Sequence, residues 1–198
     1  VTALDPGAKL LAACARALGP CEVELVETTY EAWASDGRAC DAVAACQAAH
    51  WIEPQAFLDK TYTLLVPGGR LGLLWHLDTS QSSSFWRATQ PLYDRYLPDA
   101  PNKPPQTIPL HVAAYEAALT EDARFTSRAL ARWPWSRTFD GDSYAQMLAT
   151  HSPVRMLSDE DRDALIDGHR RVIADLGGEV VRTYETVLLA AKRADEPA

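Results

Sequence analysis

The stretch DAVAACQAAHWIEP (residues 41–54), followed one helix-length later by LLVPGGRLGLLW (residues 64–75), decides how this chain folds. Asp41 to Cys46 is a nearly continuous run of small apolar residues, the composition of a parallel strand covered by helices on both faces. Pro54 to Leu65 places Phe57, Leu58, Tyr62 and Leu65 at helical spacing, and Pro67-Gly68-Gly69 stops that helix before a second buried strand, Arg70 to His76. Strand, helix and strand in this order make a right-handed crossover, the unit from which doubly wound α/β sheets are built.

The pattern extends upstream. Val1–Leu4 is a short apolar strand that runs into Asp5-Pro6, where an aspartate can cap a helix and a proline fits its first turn. Leu10, Cys14, Ala17 and Leu18 then recur at helical spacing until Gly19-Pro20. Glu22 to Val26 alternates as a strand, and Thr28 to Trp33 reads as a turn leading into a short helix. Downstream of Asp78 the composition changes to Ser and Thr, then to an aromatic helix around Phe85, Trp86, Tyr93 and Tyr96, then to prolines 98, 101, 104, 105 and 109. An excursion here, residues 78–120, stands where α/β enzymes place substrate-covering structure, although a surface excursion packed on the core would read the same way. Residues 125–139 read as a strand interrupted by Pro134, residues 143–149 and 159–176 as helices, and Glu179–Lys192 as a long antiparallel strand near one edge. The expectation is one domain, residues 1–198, on a mainly parallel sheet.

Composition narrows the function classes. Lys and Arg total 19 against 27 for Asp and Glu, a net charge of −8 that repels nucleic-acid backbones. Arg124, Arg128, Arg132 and Arg137 lie close together in sequence and are expected to form a charge-balanced, solvated face. Cys14, Cys21, Cys40 and Cys46 have no metal-site spacing, so no metal is expected and a reduced, cytoplasmic protein is the natural reading. No apolar run reaches the roughly 20 residues of a membrane span.

Taken together, ALDPGAKLL (3–11), VETTYEAW (26–33), DAVAACQAAHWIEP and LLVPGGRLGLLW resemble successive landmarks of the class I S-adenosylmethionine-dependent methyltransferases, in particular small-molecule bacterial members with a Q-A-x-H-W motif. The likeness is dense over residues 1–76 and weaker to about residue 193. It implies a Rossmann-like doubly wound sheet, S-adenosyl-L-methionine as methyl donor and a small-molecule acceptor.

By this resemblance, Asp5 binds the ribose hydroxyls of the cofactor, as a carboxylate does in dinucleotide sites, and Pro6 lies against the adenine. Asp5 can equally serve only as the cap of its own helix. Thr29 and Tyr30 match the loop that reads the adenine edge, with Thr29 where the family more often has aspartate; Tyr30 is also readable as a core aromatic. Cys46 and Gln47 match positions lining the methionine part of the cofactor. His50 and Trp51 face the transferable methyl group or the acceptor, and His50 is a candidate general base or a structural histidine. Trp75 and His76 are expected to point into the same cleft. Trp133 is expected in the core and Trp135 either there or on a substrate wall.

The family's glycine-rich loop, a G-x-G-x-G after its opening strand, has no match among the ten glycines. The expectation is therefore a chain that begins after that loop, with an interruption between the strand ending at Leu4 and the strand ending at Cys46. Two functions follow: a methyltransferase, or a non-catalytic module that keeps the scaffold and binds a partner. A nicotinamide-dependent oxidoreductase is disfavoured, since no Tyr-x-x-x-Lys pair follows the Asp41–Cys46 strand.

Overall fold

The computed structural model describes residues 1–80, 83–98 and 107–195. Its first unit is β1 (Thr2–Asp5), α1 (Ala8–Leu18) and β2 (Glu24–Glu27), with the two strands parallel and in register from Thr2 against Glu24 to Asp5 against Glu27. Then come β3 (Cys40–Cys46), a 3-10 turn at Ala49–Trp51, α2 (Pro54–Leu64) and β4 (Leu65–Asp78). Helices α3 (Ser84–Tyr96) and α4 (Thr107–Glu121) are the described parts of the excursion expected at 78–120; residues 81–82 and 99–106 lie outside the described residues. The chain continues through β5 (Phe125–Asp140), α5 (Gly141–Leu148), α6 (Ser152–Arg155), α7 (Asp159–Asp175) and β6 (Glu179–Arg193).

The strands form two sheets, β1-β2 and β3-β4-β6-β5. The interruption expected between the strands ending at Leu4 and Cys46 is thus present: β1 and β3 share no ladder. The sheet is mixed rather than mainly parallel, because β4 pairs antiparallel with β6 and β6 with β5. β6 is antiparallel and near one edge, as expected: it stands second from the edge, and β5 is the edge strand itself. Pro134 does not interrupt β5; it stands opposite Glu185 in an unbroken ladder from Ala129 to Asp140. A proline lacks the donor an inner strand must supply on both sides, and an edge strand has one side that needs none.

Alternation explains the core. Leu71, Leu73, Trp75 and Leu77 of β4 and Val187, Leu189 and Ala191 of β6 share one face, which Phe57 and Leu58 of α2 and Val112, Tyr115 and Leu119 of α4 cover. A second cluster joins Phe139 and Val180 at the far end of β5 and β6 to Phe85 of α3, Tyr144 and Leu148 of α5, and Leu165 and Ile173 of α7. The expectation of a strand buried on both faces fails for β3. Only Val43 and Ala45 pack against the core, while Ala42, Ala44 and Cys46 point to the opposite side and are exposed.

The Gly68-Gly69 pair lies inside the span of β4, at the point where the β3–β4 register jumps between Cys40 and Ala42. Gly68 has φ of 77°, a left-handed backbone. Gly69 has no such φ, but a Cβ there would stand 2.9 Å from the carbonyl oxygen of Val66 and 3.2 Å from that of Asp41.

Candidate active site

Open α/β sheets bind ligands outside the C-terminal ends of their strands, and the sequence-derived candidates fall at four such ends. At the end of β1, one Asp5 carboxylate oxygen accepts from the Gly7 amide at 2.7 Å; Gly7 is itself the N-cap of α1 and no side chain caps that helix, so Asp5 braces the turn before α1 rather than capping it. The second oxygen has no hydrogen-bond partner among the described residues. Pro6 follows and is exposed.

The loop after β2 is a series of turns rather than the short helix expected. Thr29 shapes it, its hydroxyl accepting from the Ala32 amide and its carbonyl from the Trp33 amide. Tyr30 turns its ring away from the strand ends and onto α2, 4.8 Å from the Phe57 ring, with its hydroxyl 2.8 Å from that of Thr61. Burial pushes its phenol up to about 12. Its side chain is therefore a core group, and what the loop offers a ligand is backbone. From α2, the Lys60 ammonium donates to the carbonyls of Tyr30 (2.5 Å), Glu31 (3.1 Å) and Trp33 (2.6 Å).

At the end of β3, Cys46 is exposed and Gln47 has φ of 53°, the left-handed region that non-glycine residues seldom adopt. The conformation is held by two hydrogen bonds to β4: the Gln47 amide donates to the Leu74 carbonyl at 2.9 Å, and its side-chain nitrogen donates to the His76 carbonyl at 3.4 Å. Backbone strain of this kind costs on the order of 1–3 kcal/mol and clusters at ligand sites. The 3-10 turn that follows presents Trp51, 67% exposed, and His50, half-buried. The Nδ1 of His50 is buried without a partner, and burial lowers the ring's pKa, with the neighbouring His111 adding to the effect.

At the end of β4 the two expected cleft residues part. Trp75 is fully buried on the core face, 5.9 Å from the Tyr115 ring, and is not available to a substrate. His76, the next residue, necessarily points to the opposite face. There its Nδ1 shares a hydrogen bond with the Thr186 hydroxyl at 2.9 Å, and its ring meets Trp135 edge-on at 5.7 Å. Trp135 stacks on Tyr184 at 4.5 Å and donates from Nε1 to Thr186. Trp133 is 50% exposed, which corrects its expected place in the core: β5 is an edge strand with little packed on that side.

Several contributors went unread in the sequence. Helix α4 brings the His111 ring to 6.0 Å from that of His50, and Tyr115 donates to the carbonyls of Ala49 (3.0 Å) and Ile52 (3.2 Å), pinning the 3-10 turn. The signal was present as Val112, Tyr115 and Leu119 at helical spacing, behind a proline-rich run. Nothing in the sequence marks Lys60. Two of the four arginines of the group are ion-paired, Arg124 with Asp59 and Asp122 and Arg132 with Glu185, while Arg128 donates to the Asp122 carbonyl and Arg137 lies over the Phe139 ring. A further buried cluster closes the β4 end of the second core, where Arg182 pairs with Asp78 and donates to Ser80 (2.6 Å) and to the Tyr144 hydroxyl (2.7 Å). No group of three or more His, Cys, Asp or Glu among the described residues is arranged to hold a metal, and no helix among them is long and apolar enough to cross a membrane.

A family model described as a methyltransferase domain matches residues 1–73. The uncharacterized methyltransferases Rv3342 of Mycobacterium tuberculosis and Mb3374 of Mycobacterium bovis are each 32% identical to this chain over an alignment of 166 positions that covers 76% of this chain. The matched part is 65% of those relatives, so the chain spans a little under two thirds of their length. Among solved structures, a provisionally assigned type II methyltransferase from Anaeromyxobacter dehalogenans superposes with a TM-score of 0.57 at 18% identity, covering 99% of this chain and 81% of that one. Phosphoethanolamine N-methyltransferase 2 of Haemonchus contortus, solved with phosphomonomethylethanolamine and S-adenosylhomocysteine, gives 0.50 at 11% identity over 98% of this chain and 43% of that one. The chain thus has the α/β Rossmann-like fold of the class I methyltransferases, and its first 73 residues match the methyltransferase domain family.

Proposed function

We propose that this chain is the S-adenosylmethionine-dependent methyltransferase part of a protein that acts on a small-molecule acceptor. The observation that carries the reading is the left-handed Gln47 at the end of β3, locked to β4 and followed within four residues by His50 and Trp51. The residues present fit the cofactor. Asp5 keeps one carboxylate oxygen for the ribose hydroxyls while the other holds the start of α1. Pro6 offers a flat apolar surface to the adenine, the Thr29–Tyr30 backbone its hydrogen-bonding edge, and Cys46 and Gln47 line the amino-acid portion.

S-adenosylmethionine, when bound, supplies a methyl group on a sulfonium, a leaving group good enough that alignment does much of the remaining work. His50, Trp51 and His76 orient the acceptor. Burial keeps the His50 ring neutral near pH 7, the form that can take a proton from an acceptor oxygen or nitrogen. The acidic balance of the chain favours a neutral or cationic small molecule over nucleic acid.

A second reading, a non-catalytic binding module, draws on one observation: none of the ten glycines forms a Gly-x-Gly. Titration of the isotopically labelled chain with S-adenosylhomocysteine, followed by amide chemical shifts, separates the two. The methyltransferase reading expects shifts at Asp5, Thr29 to Glu31 and Gln47, weak overall affinity, and a loss of about 1.5–3 kcal/mol in Asp5→Ala, the scale of a hydrogen bond to a charged group. Millimolar ligand with no shift at those strand ends would reject it and leave the module.

A further inference from the structure

The Lys60 side chain has an unusual set of partners. Its ammonium group lies within hydrogen-bond distance of three main-chain carbonyls from a four-residue stretch, those of Tyr30, Glu31 and Trp33, and stands 5.2 Å and 5.9 Å from the centres of the Tyr30 and Trp33 rings. An ammonium has three donors, and here each has a carbonyl. No acidic side chain takes part in these contacts, so the lysine serves the main chain of the loop.

The consequence lies in the peptide planes. In a trans peptide the carbonyl and the amide of one unit point in opposite directions. Drawing the carbonyls of Tyr30, Glu31 and Trp33 toward α2 turns the amides of Glu31, Ala32 and Ala34 away from it. The Ala32 amide is taken by the Thr29 hydroxyl at 3.2 Å, whereas those of Glu31 and Ala34 have no partner among the described residues. We propose that Lys60 is a positioning residue for the cofactor: it holds the loop after β2 so that its free amides face the adenine edge. The proposal rests on the reading of that loop as the adenine contact. It also gives α2 two tasks, since only two residues separate the helix from the turn that carries His50 and Trp51.

The test uses the 198-residue chain with S-adenosylhomocysteine and, separately, adenosine as probes, read by amide shifts and by titration. Lys60→Met keeps the apolar stem and removes the three donors. It is expected to weaken both probes by a similar factor, about tenfold, with circular dichroism unchanged, and Lys60→Arg is expected to recover most of the loss. A folded Lys60→Met chain that binds S-adenosylhomocysteine within twofold of the natural chain overturns the proposal. Should that variant fail to fold, the natural chain decides: S-adenosylhomocysteine must shift the Glu31 and Ala34 amides, and binding that leaves both unmoved overturns the positioning role while sparing the cofactor reading. Absence of any binding to the natural chain removes both.

Discussion

The parallel β1–β2 pair and the antiparallel β4–β6 pair of this molecule are buried very differently. Neither β1, β2 nor the α1 helix between them has a single buried side chain, whereas β4 and its antiparallel neighbour β6 bury every second residue over most of their length. The first unit supplies Asp5 and leads into the Thr29 loop, so the residues assigned to the ribose and the adenine lie on or next to a segment with no buried side chain. The second supplies the apolar area that holds the fold, since stabilisation scales with area removed from water. Function and stability are carried by different segments, and substitutions should separate them.

The sharpest separation is expected at Trp75, whose fully buried indole packs under α4. Trp75→Ala should cost about 3–5 kcal/mol in denaturant unfolding, the range for a large core aromatic. A loss below about 1 kcal/mol would place the core elsewhere. Next comes pH. His169 is buried, donates from Nδ1 to the Leu165 carbonyl at 2.8 Å and stacks on Tyr144, and burial lowers its pKa from 6.5 to about 4. The folded state holds the neutral ring, so its contribution is whole above about pH 6.5 and drains away as pH falls toward 4. On the order of 3 kcal/mol should be lost across that window, and His169→Gln should flatten the slope. Equal pH slopes for the two chains would mean that His169 is not the group responsible. The smallest effect belongs to the first unit: Leu10, 55% exposed on α1, should tolerate alanine within roughly 0.5 kcal/mol. A loss several times larger would show that α1 is covered in solution and would erase the contrast.

Much of this was legible in the sequence, for reasons that differ by residue. Asp41–Cys46 and Arg70–Trp75 are apolar runs bounded by turn residues, and both are strands, the second extended at both ends to Leu65 and Asp78. The helices expected at 143–149 and 159–176 are α5 and α7, the former closed by a capping box between Asp140 and Ser143. What periodicity alone cannot give is the number of covered faces. It made β3 doubly buried, where one side is exposed, and gave Trp75 and His76 a common direction that adjacent strand residues never share. Tyr30 illustrates a different limit: its place at the end of a strand was readable, but the Phe57 and Thr61 side chains that capture it come from a helix about thirty residues away. Lys60 was invisible because its partners are main-chain carbonyls, which every residue carries.

A record of which letters are accepted at each position would show Gly68 and Gly69 as two adjacent symbols of the same kind. They encode different information. The first specifies an angle, a left-handed backbone, and a Cβ there would meet the movable ends of the Asp195 and Lys192 side chains, the nearer at 2.8 Å. The second specifies a distance, because the carbonyls of Val66 and Asp41 leave no room for a side chain whatever its conformation. The Pro-Gly-Gly turn therefore carries two independent messages, one about the direction of the chain and one about how closely β3 and β4 approach, and the second is fixed by main-chain atoms where the first meets only side-chain ends outside the turn.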